Sequence, residues 1–307
     1  MPDCVQPSWS ISGVFGATPN VKDPVQGPVL ENCSLIAAFA SLAWKGRISL
    51  QTGSPYKFTF NRIVNGNVIG ETQYADTILP ADSTGKIMHA RSDDTSKYWP
   101  AIYEKAYYMW LQNVDTYQNN PTALSDALKS ASGRPLYCPY RGAQNPITVL
   151  FQLTGYRVED IIKKTSTTNA GDVFKSADTV FADIDNWCDN CPRSLTNQAI
   201  RTPAVAWTRD TGTEYSDTTI VVQHTYSLLG VAGTKDSNQN WITKYIVLRN
   251  PYGKVRKDPA SGSVSVYTAG GLWCSTNIYL SDPNDGIFAI SAADFFKYFA
   301  GYAWTPV

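Results

Sequence analysis

The sequence predicts an α+β protein in which helices dominate the first half and antiparallel strands the second. Three observations carry this. Before residue 112, two stretches, 33–44 and 99–111, repeat apolar residues at helical spacing. Beyond residue 200, β-rich runs at 202–207, 223–231 and 243–250 are bounded by turn signals, with a spacing that favours an antiparallel sheet over βαβ units. Between these regions the composition shifts, from Ser132-Gly133-Arg134-Pro135 through Arg141-Gly142. A lobe boundary is placed there, giving a helical lobe over 1–137 and a β-rich lobe over 138–307.

Residues 1 to 31 read as extended and turn-rich, broken by Pro7, Pro19, Pro24 and Pro28. The first helix follows. Leu35, Ala38, Phe39 and Leu42 fall at i, i+3, i+4 and i+7, and the residues between them are small, so this helix can be buried on most sides. Asn32 is a suitable N-cap, and Gln26-Gly27-Pro28 supplies a turn upstream. Short strand-like runs at 56–60 and 66–69 precede a polar loop. The second helix carries Pro100 near its start, where a missing N–H costs nothing, and Asn119-Asn120-Pro121 ends it. A short amphipathic helix is expected over 122–130. The last helix, 292–299, has Ser291 as its cap. No internal repeat or low-complexity tail is present.

At 307 residues the chain can support two lobes, each with its own core. Lys plus Arg equals Asp plus Glu at 26 each, so no global field invites nucleic acid or an anionic membrane. No run of eighteen apolar residues occurs, which excludes a spanning helix. The start, Met1-Pro2-Asp3-Cys4-Val5, does not read as a signal peptide, so a cytoplasmic monomer is expected; a secreted chain with its signal removed would look the same. The six cysteines, Cys4, Cys33, Cys138, Cys188, Cys191 and Cys274, are too sparse for a disulfide scaffold. Cys188 and Cys191 form a CxxC with no second pair or histidine nearby to complete a zinc site.

Cys33 sits in the first turn of its helix, facing the positive end of the helix dipole and unpaired N–H groups. Both favour the thiolate. The alternative is a small core residue, since free cysteine is among the most buried types. A base for this thiol must be His89, His224 or a carboxylate, because only two histidines occur. His89 lies in a polar stretch and reads as a surface residue. His224 starts one strand, and the next strand ends in Asn250-Pro251. If the two strands are neighbours, the Asn250 carbonyl can hold the imidazole and aim its other nitrogen at the thiol, the logic of a Cys-His-Asn triad. Taken singly, a core histidine and a turn asparagine remain open.

The segment Gln26-Gly27-Pro28-Val29-Leu30-Glu31-Asn32-Cys33-Ser34-Leu35-Ile36-Ala37-Ala38 resembles the nucleophile segment of the calpain family of papain-like cysteine proteases. Four further stretches match that family in the same order: residues 99–107, His224-Thr225-Tyr226-Ser227, Leu248-Arg249-Asn250-Pro251-Tyr252-Gly253, and Asn284-Asp285-Gly286-Ile287-Phe288 with Asp294-Phe295. The resemblance spans about residues 20 to 300. It implies a two-lobed papain-like core in which a helical N-terminal lobe carries Cys33 and an antiparallel β-sheet C-terminal lobe carries His224 and Asn250. A protein or peptide substrate would lie extended between them. Cys33 would be the nucleophile, His224 the base, Asn250 its orienting partner and Gln26 an oxyanion donor, although Gln26 stands one residue further from Cys33 than the family's glutamine. Gly142 matches a substrate-backbone glycine. Gln223 and Tyr252 stand where the family has a glycine and a tryptophan, and Ser34 replaces the tryptophan after the cysteine.

Calpain cores bind calcium through carboxylates. Asp23 and Asp285 match two of these, but Lys97, Arg256 and Ile287 stand where acidic partners are expected, and no EF-hand loop occurs. A basic residue can supply the charge a metal would bring, so a core active without calcium or any other cofactor is expected. The favoured reading is a cysteine endopeptidase. A Cys-dependent acyl transferase or peptide ligase, and a catalytically silent binding protein, are the alternatives.

Overall fold

The computed structural model describes residues 9–12, 15–16, 18–27, 31–49, 51–53, 55–81, 83–88, 90–119, 144–162, 174–188, 197–209, 215, 220–255, 271–273, 276–278, 280, 282 and 284–306. The helix expected over 122–130 and the lobe boundary lie outside these, as do Cys4, His89, Cys138, Gly142, Cys191, Arg256 and Cys274.

In chain order the first half holds β1 (Trp9–Ser12), α1 (Cys33–Trp44), β2 (Tyr56–Val64), β3 (Asn67–Ala75), β4 (Ile78–Ala81) and α2 (Trp99–Asn119). Every residue of α1 from Cys33 to Ala43 is buried, as a helix apolar on most sides requires. One side packs on α2, where Phe39 stacks on Tyr103 with ring centroids 4.6 Å apart. Burying a side chain such as Leu35 or Phe39 contributes roughly 1.5–3 kcal/mol. The expected strand runs at 56–60 and 66–69 extend into a full hairpin, β2–β3, around Asn65-Gly66. Both turn residues have positive φ, 51° and 79°, the two-residue turn that Asn-Gly favours.

The second half holds α3 (Pro146–Thr154), β5 (Glu159–Ile162), α4 (Ala177–Asn186), β6 (Asn197–Ala199), β7 (Ala204–Thr208), β8 (Thr225–Lys235), β9 (Trp241–Arg249), β10 (Gly271–Trp273), β11 (Thr276–Ile278), β12 (Ile287–Ser291), α5 (Ala292–Tyr298) and β13 (Phe299–Trp304). Seven strands form one antiparallel sheet in the order β12-β9-β8-β7-β13-β5, with β6 also beside β8. Two helices here, α3 and α4, were not expected. Asn145 caps α3 by accepting from the Ile147 amide at 2.9 Å, and Val149, Leu150 and Leu153 join the core around α1 and α2. Ser291 caps α5 as expected, accepting from the Asp294 amide at 3.0 Å.

Strand β8 is buried from Thr225 to Gly233, covered on both faces. Tyr226, Leu228 and Val231 point into the core with α4 and α5. Leu229 and Ala232 face Ala40 of α1. The seam between α1 and the sheet is stitched by polar bonds on one helical face. Ser34 Oγ meets Thr225 Oγ1 at 2.9 Å, the Ala37 carbonyl accepts from Ser227 Oγ at 2.7 Å, and Ser41 Oγ accepts from the Ala204 amide at 2.7 Å. Trp44 Nε1 donates to the Leu229 carbonyl at 3.2 Å. These bonds satisfy the groups that burial strips of water. Among the described residues no helix is long and apolar enough to cross a membrane.

Candidate active site

The sheet brings His224 and Asn250 together. His224 immediately precedes β8 and Asn250 immediately follows β9; the antiparallel register pairs Ser227 with Arg249, so the two strand ends coincide. His224 Nε2 lies 3.0 Å from Asn250 Oδ1. The same oxygen accepts from the Tyr252 amide at 3.0 Å, so it serves as acceptor to both neighbours. Nε2 therefore carries a proton, and in the neutral ring Nδ1 is the basic nitrogen. Tyr252 covers the imidazole with ring centroids 4.6 Å apart, and Tyr226 meets it edge-on at 4.9 Å. The Asn250 backbone is fixed by its amide bonding to the Gly286 carbonyl at 2.9 Å and its carbonyl accepting from the Gly253 amide at 3.0 Å. Gly286 has φ of 75°, and a Cβ there would lie 2.7 Å from the Asn250 oxygen, so this approach needs glycine.

Cys33 and His224 line one cleft of about 510 Å³. Gln26, Glu31 and Ser34 join Cys33 in it; Trp207, Gln223, Thr225 and Tyr252 join His224. The Cys33 thiol is a buried free thiol, 7% exposed. Burial pushes its pKa up, and hydrogen bonds from Thr225 and Ser34 only partly offset that. The helix start alone predicts a lowered value; removal from water outweighs it here. Asn32 occupies the N-cap position of α1 but makes no side-chain cap bond. Its amide donates instead to the carboxyl of Glu104 on α2, which also accepts from the Ala90 amide at 2.6 Å. Burial raises the Glu104 pKa to about 8.

Gln26 reaches the cleft on a segment held from two sides. Its amide donates to the Pro251 carbonyl at 2.7 Å, and Val25 exchanges backbone bonds with Arg91 at 2.8 and 2.9 Å. Gln223, exposed in the cleft, takes a left-handed backbone at φ 51°. Gly142 falls outside the described residues. Sequence reasoning missed Glu31, Gln144, Asn145, Pro146, Trp207 and Val222 as cleft residues. Asn145-Pro146 carries a legible helix-start signal, whereas the others line the cleft only through the tertiary fold.

The two calcium-matching carboxylates both face lysines. Lys97 Nζ donates to Asp23 Oδ1 at 3.0 Å, while Trp99 Nε1 and the Asn20 amide donate to Oδ2 at 3.0 and 2.7 Å. Lys22 Nζ lies 2.7 Å from Asp285 Oδ2, and Oδ1 accepts from the Ile287 amide at 2.8 Å. Between them the buried Arg249 guanidinium donates to the Lys22 carbonyl at 2.9 Å and the Asp285 carbonyl at 3.2 Å. Its burial lowers its pKa to about 10 against the opposing pull of Asp285 and Asp23. Lys22 was not singled out in the sequence. Ile287 is buried in β12 opposite Arg249.

A buried thiol that shares a cleft with an asparagine-held histidine is the residue set of a cysteine peptidase. The family model described as calpain family cysteine protease matches residues 10–303. The chain belongs to the calpain family of cysteine proteases. Among curated proteins, none matches it.

Proposed function

We propose that this protein is a papain-like, two-lobed cysteine endopeptidase that hydrolyses peptide bonds through a thioester and works without calcium. The observation that carries the reading is the 3.0 Å bond from His224 Nε2 to Asn250, which leaves Nδ1 as the base in the cleft that Cys33 lines. A protein or peptide substrate lies extended in that cleft. His224 Nδ1 takes the Cys33 proton as the sulfur attacks the scissile carbonyl carbon. The resulting oxyanion is stabilised by the Cys33 amide and the Gln26 side chain. His224 returns the proton to the leaving amine, giving a thioester, and then activates the water that hydrolyses it. Burial raises the pKa of the thiol and so opposes its ionisation, which is the work the base has to do.

Calcium independence is supported by the donor set. Each carboxylate that matches a family calcium ligand has a lysine ammonium against it, and a cation there would meet like charge. The test is hydrolysis of a mixed set of quenched fluorescent peptides by wild type and Cys33→Ala, in chelator and in added calcium. Cleavage lost in the variant and indifferent to chelation is the expected result. Cleavage that survives in Cys33→Ala, or that requires calcium, would overturn the reading.

A further inference from the structure

The residue after Cys33 and the residue after His224 are hydrogen-bonded to each other. Ser34 Oγ and Thr225 Oγ1 are 2.9 Å apart, both side chains are buried, and both line the cleft. The partners lie 191 positions apart in the chain, yet each is covalently next to a member of the proposed pair. Their bond therefore makes a short bridge, Cys33-Ser34···Thr225-His224, across the α1–β8 seam. We propose that Ser34 and Thr225 are positioning residues, a hydroxyl clasp that fixes the separation of Cys33 and His224 and supplies a donor to the sulfur when it is ionised. This rests on the reading that Cys33 is a nucleophile activated by His224.

Hydroxyl chemistry suits the task. Each hydroxyl has one proton and two lone pairs, so when one donates to the other, the second retains a proton for the sulfur. Thr225, through its amide and hydroxyl, and Ser34, through its hydroxyl and amide, act to lower the Cys33 pKa against its burial. When the thiol is protonated the hydroxyls can turn to accept from it. Rotation about C–O bonds is enough, with no movement of heavy atoms. The bonds of Ser227 to the Ala37 carbonyl and of the Ala204 amide to Ser41 belong to the same seam but sit one and two helical turns further from Cys33. They serve as internal controls for a purely structural tie.

The experiment is the pH dependence of iodoacetamide labelling, read at the Cys33 peptide by mass spectrometry, in the full chain. Thr225→Val keeps the shape and removes the hydroxyl. The labelling inflection is expected to move up by about one pH unit, with labelling about tenfold slower at pH 7. Thr225→Ser is expected to restore the wild-type inflection, and Ser227→Ala to leave it unmoved. If Thr225→Val does not fold, the double variant Ser34→Ala/Thr225→Val, which leaves no orphaned hydroxyl, carries the same expectation. A wild-type inflection in whichever of these folds would overturn the clasp. His224→Ala separates the two readings. Labelling unaffected by that change would remove the pairing of Cys33 with His224, whereas slowed labelling with an unmoved Thr225→Val inflection would remove the clasp alone.

Discussion

At Cys33 two effects oppose each other: removal from water, which favours the thiol, and donors at the helix start, which favour the thiolate. Burial wins, and the Cys33 pKa lies above its ordinary value. Gln26 is the other residue on which turnover rests in this account. Gln26→Ala is expected to slow turnover by about ten- to a thousandfold, chiefly in kcat, measured with a fluorescent peptide. An unchanged rate would remove it from the oxyanion role. Locally Cys33, His224 and Asn250 are marked only by a helix start, a strand start and a strand end beside proline, and the resemblance to the calpain family is what joins them into one candidate site. Ser34 with Thr225, and Lys22 with Asp285, were not legible. Each pairing joins segments far apart in the chain, and nothing local in a serine or a lysine announces its partner.

The start of α1 is set by an element it does not touch in sequence. Asn32 turns from capping its own helix to the buried Glu104 carboxyl of α2. Glu104 has a folded pKa of about 8 against 4.5 when unfolded. Between those values the folded chain keeps a proton that the unfolded chain releases, so stability falls as pH rises through this window. Glu104→Gln is expected to flatten that fall, its Tm dropping less than wild type between about pH 5 and 8. Equal slopes would show that Glu104 does not titrate there. The Gly286 turn has a similar element-scale role. Gly286→Ala is expected to displace the Asn250 loop and cut activity, because its Cβ would meet the Asn250 carbonyl. Retained activity in that variant would contradict the need for this close approach.

Helix α1 was legible from its period, and α5 from Ser291. Helix α3 reads Pro-Ile-Thr-Val-Leu-Phe-Gln-Leu-Thr, rich in β-branched residues, and packing of its buried Val149, Leu150 and Leu153 in the core with α1 and β2 overrides that preference. The hairpin extends past its expected ends because Asn65-Gly66 fixes its turn and register.

Over the whole molecule, three cations (the buried Arg249, the half-buried Lys97 and the exposed Lys22) tie the segment that leads to Gln26 to three other parts of the chain. Lys97 holds Asp23, Lys22 holds Asp285, and Arg249 bonds the carbonyls of Lys22 and Asp285. Breaking a buried pair by removing one partner typically costs about 3–5 kcal/mol, since the other charge is stranded. Lys97→Met, which leaves Asp23 in its buried site, is accordingly expected to lower Tm and slow cleavage together, by circular dichroism and peptide assay; an unchanged Tm would show that the pair does not hold this segment. The decisive test of a Cys33–His224 pair that works without metal is covalent labelling of Cys33 by an epoxide inhibitor, followed by intact mass in chelator and in calcium. A single label at equal rates in both, absent in Cys33→Ala and much slower in His224→Ala, is the predicted result. A label that forms only with calcium, or at the wild-type rate without His224, would contradict an activated pair assembled without metal.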